Sequence, residues 1–256
     1  MIISSIDESQ RKAAKVAGFT FLFTLATVVY ANFAIQDRLI VRNAAETAQN
    51  IVAHVRLFRI GIACDLIYCA GLVMLLTALY VILRPVNRSL ALLAAFSRLV
   101  YALTWLLMTV NLFDALRLLS SADYLRVLEP ERLQALAKLY LSMRFDEYYI
   151  GLLFYGLASA LCSYLWFKSN YIPRALAIFG VIGSAWAAIC TLIFIIFPSF
   201  TRIVNLWWFD TPLGIFEIAL GLLLLFRGIK SGIANPAKQA TEHVLVPSKP
   251  RVQAES

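Results

Sequence analysis

Long apolar runs separated by short polar segments dominate the pattern along the chain. A helix needs about 20 predominantly apolar residues to cross a hydrocarbon core of about 30 Å, and six runs approach or exceed that length. The last run reaches it only if its flanking basic residues extend their stems along apolar surface. We therefore predict an all-α integral membrane bundle with transmembrane helices at about residues 16–35, 60–83, 89–116, 148–167, 175–197 and 212–228.

The first run has two interpretations, because a basic segment precedes it. Arg11, Lys12 and Lys15 lie directly before residues 16–35, as basic residues do in a signal peptide. The apolar region of a signal peptide is normally about 7–15 residues long, and this run is longer. We therefore predict a retained span, with residues 1–15 as a short N-terminal segment.

Two longer connecting segments have helical patterns of their own. Asn43 and Glu46 have the spacing of a capping box, and apolar residues follow at helical intervals. In the second connection, Ser120 and Asp123 are suited to cap a short helix and Pro130 is suited to begin another. We predict short amphipathic surface helices in both long loops.

The sequence predicts a helix for the sixth span and no regular structure for the residues after it. Pro212 follows Thr211 and is predicted as the first helical residue, because proline is favoured at that position. Residues 231–256 contain three prolines and no apolar periodicity. This composition predicts a disordered polar tail.

Composition and charge narrow the class of protein. Hydrophobic residues make up 61% of the chain and charged residues 15%, with a mean hydropathy of +0.76. Soluble domains have about 45–50% apolar and about 25% charged residues. The net charge of +8 comes mostly from basic residues at the ends of apolar runs, where they set orientation. The expected partner is the lipid bilayer and not a nucleic acid, while a protein partner is left open.

The number of spans and the basic turns predict a topology. An even number of spans places both termini on one side of the membrane. The connections at 84–88 and 168–174 are short and strongly basic, which is typical of cytoplasmic loops. We predict a multi-pass protein of the bacterial cytoplasmic (inner) membrane with both termini in the cytoplasm.

The chain has few residues suited to a metal, a cofactor or a nucleophilic catalyst. Its four cysteines have no C-x-x-C spacing, and its two histidines, His54 and His243, lie outside the apolar runs. Haem and di-iron sites in helix bundles use histidines inside the bundle. The chain also lacks a phosphate-binding glycine loop and a nucleophile elbow. We predict no metal, no cofactor and no catalytic residue.

The third span carries a stripe of polar side chains. Arg98, Tyr101, Asn111 and Asp114 recur at helical spacing, which predicts a polar face toward the bundle interior. An ionisable group at the bilayer centre costs about 2.5–3.5 kcal/mol on insertion scales and is a functional candidate. The alternative for Arg98 is that its side chain extends to the headgroups.

Two further carboxylates, Asp65 in the second span and Glu217 in the sixth, lie near the predicted outer ends of their helices. Buried charges are paired or protonated, so these groups predict an ionic cluster with Arg59, Asp114, Arg117, Asp146 and Glu147. The cluster either joins the helices as a structural clasp or contacts a polar ligand. The candidate ligand-binding residues are Asp65, Arg98, Tyr101, Asn111, Asp114 and Glu217.

Several short segments follow one another in a recognisable order. They are LFRIG at 57–61, LRPVN at 83–87, SADYL at 121–125, QALA at 134–137, FKSNYIPR at 167–174 and GIFE at 214–217. The series resembles a bacterial membrane family known as domain of unknown function 4386, over roughly residues 10 to 230. The resemblance implies a multi-span protein and brings no activity, substrate or cofactor. Members of the family often carry a histidine near the start of the fourth span, where this chain has Arg144 to Glu147.

Three functions fit these features. The leading hypothesis is the binding or passage of a small amphipathic or lipid-like molecule through a polar cavity inside the membrane. One alternative is an assembly or sensing partner without its own ligand. The other is an intramembrane hydrolase or transferase using Asp65, Asp146 or Glu217 as acid and base. Since no nucleophile–base pair supports catalysis, a non-enzymatic role is favoured.

Overall fold

The computed structural model describes residues 6–120, 128–204 and 206–230, and within these ranges it contains helices and turns but no strand. Six helices in the described part are long and apolar enough to cross a membrane. The predicted all-α membrane bundle is therefore confirmed. The helix predicted from Asp123 and the polar tail at 231–256 lie outside the described residues.

The helices follow the chain in a simple order. They are α1 Glu8–Val29, a π-helix at Tyr30–Gln36, α2 Asp37–Leu39, α3 Ala44–Ala53, α4 Val55–Leu83, α5 Arg88–Leu118, α6 Pro130–Ser169, α7 Arg174–Ile196, a 3₁₀-helix at Pro198–Arg202 and α8 Leu206–Phe226.

The first span is longer than the predicted 16–35, because α1, the π-helix and α2 form one helical stretch from Glu8 to Leu39. The helix begins at Glu8, so the basic residues before Val16 are already helical. Gln10 is buried there, and its Nε2 donates a hydrogen bond to the carbonyl oxygen of Ile82 at 3.0 Å. Most of the predicted N-terminal segment is thus part of the bundle.

The fourth span and the helix predicted to precede it are one helix, α6, of 40 residues. No proline or glycine interrupts the chain between Pro130 and Gly151. At 1.5 Å per residue α6 is about 60 Å long, about twice the thickness of a hydrocarbon core. The predicted surface helix in this loop is therefore the projecting first part of α6. The surface helix predicted in the first loop is present as α3, and Asn43 Oδ1 accepts a hydrogen bond from the Glu46 N–H at 3.0 Å.

Pro212 lies inside α8 and is not its first residue, because the helix begins at Leu206. The prediction from the Thr211-Pro212 pair was therefore wrong. Proline in a helix interior removes one backbone hydrogen bond, and it does so here at the end of α8 that contributes to the candidate site.

The six long helices pack as a closed ring. Each one contacts the next around the ring in the order α1, α4, α5, α6, α7, α8 and back to α1. Large apolar side chains point outward all around the bundle, as Phe96, Leu107 and Ile182 do. An outward apolar surface is what a bundle surrounded by lipid requires.

The ring closes where α1 meets α8, at two glycines. A Cβ atom on Gly18 would lie 2.5 Å from the backbone nitrogen of Leu225 and 2.8 Å from the carbonyl oxygen of Gly221. Only residues without a side chain allow two helix backbones to approach this closely. The contact joins the first part of α1 to the last part of α8.

We expect Gly18→Ala to destabilise the bundle by about 1–3 kcal/mol, as overpacking does, because the added methyl group meets backbone atoms. Gly214→Ala in α8 is the matched control, since a Cβ there meets nothing within 4 Å and alanine favours a helix interior. Thermal unfolding in detergent measures both. Equal melting temperatures for Gly18→Ala and the wild type would contradict the close contact.

Candidate functional site

A cavity of about 350 Å³ lies inside the ring, beyond the contact between α1 and α8. It extends from Tyr155 to Arg144, or about 16 Å along α6 at 1.5 Å per residue. The first span, α4, α5, α6 and α8 all contribute to its wall. The lining residues are Leu25, Val28, Val29, Asn32, Phe33, Gln36, Asp37, Ile40, Tyr68, Tyr101, Trp105, Met108, Arg144, Phe145, Tyr148, Leu152, Tyr155, Asp210, Thr211, Gly214 and Glu217.

An ion pair between Arg98 and Glu217 lies at the inner end of the cavity, by which we mean the end nearer to the start of α1 and the end of α8. Arg98 Nη1 is 3.6 Å from Glu217 Oε1, and Arg98 is only 2% exposed. Arg98 Nη2 also donates a hydrogen bond to Ser159 Oγ at 3.0 Å, and the guanidinium lies 5.1 Å from the ring centroid of Tyr155. Arg98 is therefore held in the bundle interior, about 15 Å from the start of α5, and does not extend to the headgroups.

An aromatic wall forms one side of the cavity. The ring of Tyr101 lies 4.8 Å from that of Tyr155 and 6.0 Å from that of Trp105, and Trp105 lies 6.1 Å from Tyr148. Tyr68 packs 4.7 Å from Trp105, and its hydroxyl is 3.1 Å from that of Tyr101. These five rings come from α4, α5 and α6, so the wall exists only when the three helices are packed together.

A polar network lies at the outer end of the cavity, the end opposite to the Arg98–Glu217 pair. Asp65 accepts hydrogen bonds from Gln36 Nε2 at 2.9 Å and from Trp105 Nε1 at 3.4 Å. Arg144 donates to Asn32 Oδ1 at 3.1 Å, and its charge interacts with those of Asp65 and Asp37. The network thus links the first span to α4, α5 and α6.

The π-helix at Tyr30–Gln36 supplies Asn32 and Gln36 to this network. A π-helix inserts an extra residue per turn and so shifts the direction of the side chains that follow it. Such segments are frequent at functional sites. Asn32 and Gln36 are four residues apart, a spacing that places two side chains on one face of an ordinary helix as well. This polar pair was therefore a signal in the sequence, and the sequence analysis did not single it out.

Asp210 and Tyr148 form a third polar contact, between the two ends of the cavity. The Tyr148 hydroxyl donates to Asp210 Oδ2 at 3.0 Å. The sequence analysis placed both residues outside the spans or at their margins. Since α8 begins at Leu206 and α6 begins at Pro130, both residues are helical: Asp210 lies near the start of α8 and Tyr148 well inside α6.

Only some of the residues predicted to bind a ligand lie at the cavity. Tyr101 and Glu217 line the cavity, and Asp65 and Arg98 contact residues that do. Asn111 and Asp114 are not in the cavity wall. Instead, Asn111 Nδ2 donates to Glu147 Oε1 at 2.7 Å, and Asp114 Oδ1 lies 3.5 Å from Arg117 Nη1 of the same helix.

The single ionic cluster predicted around these groups is not formed. Arg59 and Asp146 are both exposed, and the remaining carboxylates are distributed among separate contacts. The prediction was wrong because helical depth alone does not specify which way a side chain points around its helix. Within the part of the chain that the structure describes, no group of three or more His, Cys, Asp and Glu residues is arranged to hold a metal ion.

The fold and the cavity define a multi-pass membrane protein built as a closed ring of six helices. The family described as Domain of unknown function (DUF4386) matches residues 16–228, and the chain belongs to this family. The resemblance drawn from the ordered sequence motifs is thereby confirmed. No curated protein and no solved structure matches the chain.

We expect Arg98→Met to destabilise the protein by about 3–5 kcal/mol, because it leaves the buried Glu217 carboxylate without its cation. Glu217→Met should cost a similar amount. The double variant with both substitutions should recover most of the loss, since no uncompensated charge remains. Unfolding by titration with a denaturing detergent measures all three. Purely additive losses in the double variant would show that the two charges do not depend on each other.

Proposed function

We propose that the protein binds a small amphipathic or lipid-like molecule in the cavity between its helices. The observation that carries the proposal is a cavity with polar groups at both ends, an aromatic wall and an apolar side that reaches the outer surface. Its volume of about 350 Å³ falls in the range of sites for small molecules, about 300–1,000 Å³.

Three apolar residues line the cavity and are also exposed on the outer surface of the bundle, which supports entry of the ligand from the bilayer. Val29, Phe33 and Phe145 line the cavity and are also 44%, 41% and 54% exposed at the surface of the bundle. An opening with an apolar rim suits a molecule that arrives with its tail already in lipid. It does not suit a small polar solute, which partitions poorly into hydrocarbon.

The two sides of the cavity suit the two parts of such a molecule. Leu25, Val28 and Leu152 offer an apolar surface for a tail. Asp210 and Glu217 offer polar groups for a head. We favour binding over catalysis because the lining residues that could act as a nucleophile or a base, Asp210, Thr211 and Glu217, form no hydrogen-bonded nucleophile–base pair with one another.

We further propose that the protein lies in a bacterial cytoplasmic membrane with both termini in the cytoplasm. The basic turns at 84–88 and 168–174 support this orientation. They lie at the same end of the bundle as the two termini of the helical region. Gln10 bonds to Ile82 beside the first turn, and the Lys230 N–H donates to the Tyr171 carbonyl oxygen at 3.0 Å in the second.

A green fluorescent protein fused after residue 256 should fluoresce in bacterial cells, because that reporter folds in the cytoplasm and not after export. An alkaline phosphatase fused at the same place should be inactive. The reversed pair of results would show that the termini lie outside.

We expect Gly214→Leu to abolish retention of a small molecule or lipid by the protein. Gly214 lines the cavity and a Cβ there meets nothing within 4 Å, so the larger side chain begins without a clash and takes up space that a ligand would occupy. Native mass spectrometry after mild extraction measures retention. Thr77→Leu is the control, because Thr77 is exposed on α4 and outside the cavity. A wild-type protein that carries no adduct, or equal adducts in all three proteins, would overturn the proposal.

A further inference from the structure

Negative charge prevails around the cavity. Four carboxylates, those of Asp37, Asp65, Asp210 and Glu217, line the cavity or contact residues that line it. Two guanidinium groups accompany them. Arg98 pairs with Glu217, and Arg144 donates a hydrogen bond to Asn32. The cavity as a whole therefore has more anionic than cationic groups.

Asp210 is the carboxylate whose charge is least compensated. Its recorded contact is the hydrogen bond from the Tyr148 hydroxyl. Among the residues that the structure describes, no lysine or arginine lies within ion-pair distance of Asp210, and no cation interacts with its charge. A half-buried carboxylate without a counter-ion, facing a cavity, favours a cationic group in that cavity.

In the described part of the chain, four polar atoms at or beside the cavity have no hydrogen-bond partner: the acceptors Gln36 Oε1 and Glu217 Oε1, and the donors Nε and Nη1 of Arg98. Gln36 is 3% exposed and lines the cavity, and its Oε1 has no partner although its Nε2 is bonded to Asp65. Glu217 Oε1 and Arg98 Nη1 face each other at 3.6 Å in the ion pair, so this acceptor and this donor offset each other. Buried acceptors are normally satisfied, so Gln36 Oε1 favours a ligand that brings a hydrogen-bond donor.

The aromatic wall favours the same charge. Trp105 and Tyr148 lie side by side in it, and Tyr148 reaches Asp210. The faces of aromatic rings attract cations, most strongly those of tryptophan and tyrosine. A carboxylate next to such rings is a suitable environment for an organic ammonium group. An anionic head near Tyr148 would face the Asp210 carboxylate, whereas the guanidinium of Arg144 lies with Asn32 at the end of the cavity away from Glu217.

We propose that the cavity selects cationic amphiphiles, namely protonated amines that carry an apolar tail. This inference rests on the proposed function and specifies its ligand. The ammonium group would lie near the ring of Trp105 and donate to Asp210, which Tyr148 holds beside that ring. The tail would lie against Leu25, Val28 and Val29, toward the opening.

Three compounds with one tail and different heads test the selection: 4-phenylbutylamine, 4-phenylbutanol and 4-phenylbutyrate. Isothermal titration of the purified full-length protein in lipid nanodiscs measures their affinities, with protein-free nanodiscs as the blank. We expect the amine to bind at least about tenfold more tightly than the alcohol and the carboxylate, or about 1.4 kcal/mol. Gly214→Leu should weaken the binding of all three.

Asp210→Asn removes the negative charge and keeps nearly the same side-chain shape, because the amide oxygen still accepts the hydrogen bond from Tyr148. We expect this variant to bind the amine about tenfold more weakly and the alcohol as the wild type does, which also shows that the cavity is intact. Asp114→Asn is the matched control, because Asp114 is a carboxylate of the same bundle outside the cavity. It should bind the amine with wild-type affinity.

The outcomes distinguish the two proposals. If the alcohol or the carboxylate binds as tightly as the amine and Gly214→Leu abolishes that binding, the cavity binds amphiphiles but the selection for cations is overturned. The same follows if Asp210→Asn and Asp114→Asn bind the amine equally. If none of the three compounds binds the wild-type protein, the proposed function and this inference fail together.

Discussion

The burial of one charge deep in the membrane is the constraint on which the arrangement of helices depends. Arg98 lies in the middle of α5, where water cannot solvate it, and Glu217 of α8 supplies the opposite charge. Helices α5 and α8 are not neighbours around the ring, so this ion pair crosses its interior. It forms the inner end of the cavity and links two sides of the bundle that have no extensive packing of their own.

The cavity follows from a difference between the two ends of the α1–α8 contact. Near the termini, Gly18 and Gly221 bring the two backbones together. Toward the other end, the first span passes into the π-helix and α8 contains Pro212. Both irregularities occur where these helices line the cavity. Close packing of small residues at one end and irregular backbone at the other leave a space that opens toward lipid.

The site depends on paired polar groups that each tie two helices together. Gln36 with Asp65, Arg144 with Asn32 and Tyr148 with Asp210 are each contributed by different helices. In a medium without water such pairs satisfy groups that have no other partner. The same pairs leave a few acceptors unused, and it is this remainder, together with the aromatic wall, that gives the cavity its chemical character.

The sequence by itself determined the class of protein and the number of spans. Runs of apolar residues identify membrane helices because the bilayer requires a fixed length of them. The ordered motifs indicated the family over roughly residues 10 to 230, and the family model matches residues 16–228. Tyr101 and Glu217, two of the candidate ligand-binding residues, line the cavity, because an ionisable or polar group is expelled from lipid. These inferences need only the properties of each helix taken alone.

Only the tertiary structure decided which polar groups meet. Asn111 and Asp114 have the same spacing as Arg98 and Tyr101, yet they pair elsewhere, because the partners available at each level depend on the neighbouring helices. Gln36 is the last residue of the π-helix, and Asp210 lies before the proline that was expected to begin its helix, so the sequence did not show which side chains the two would meet. Contacts between helices are set by packing, and a linear pattern does not contain that information.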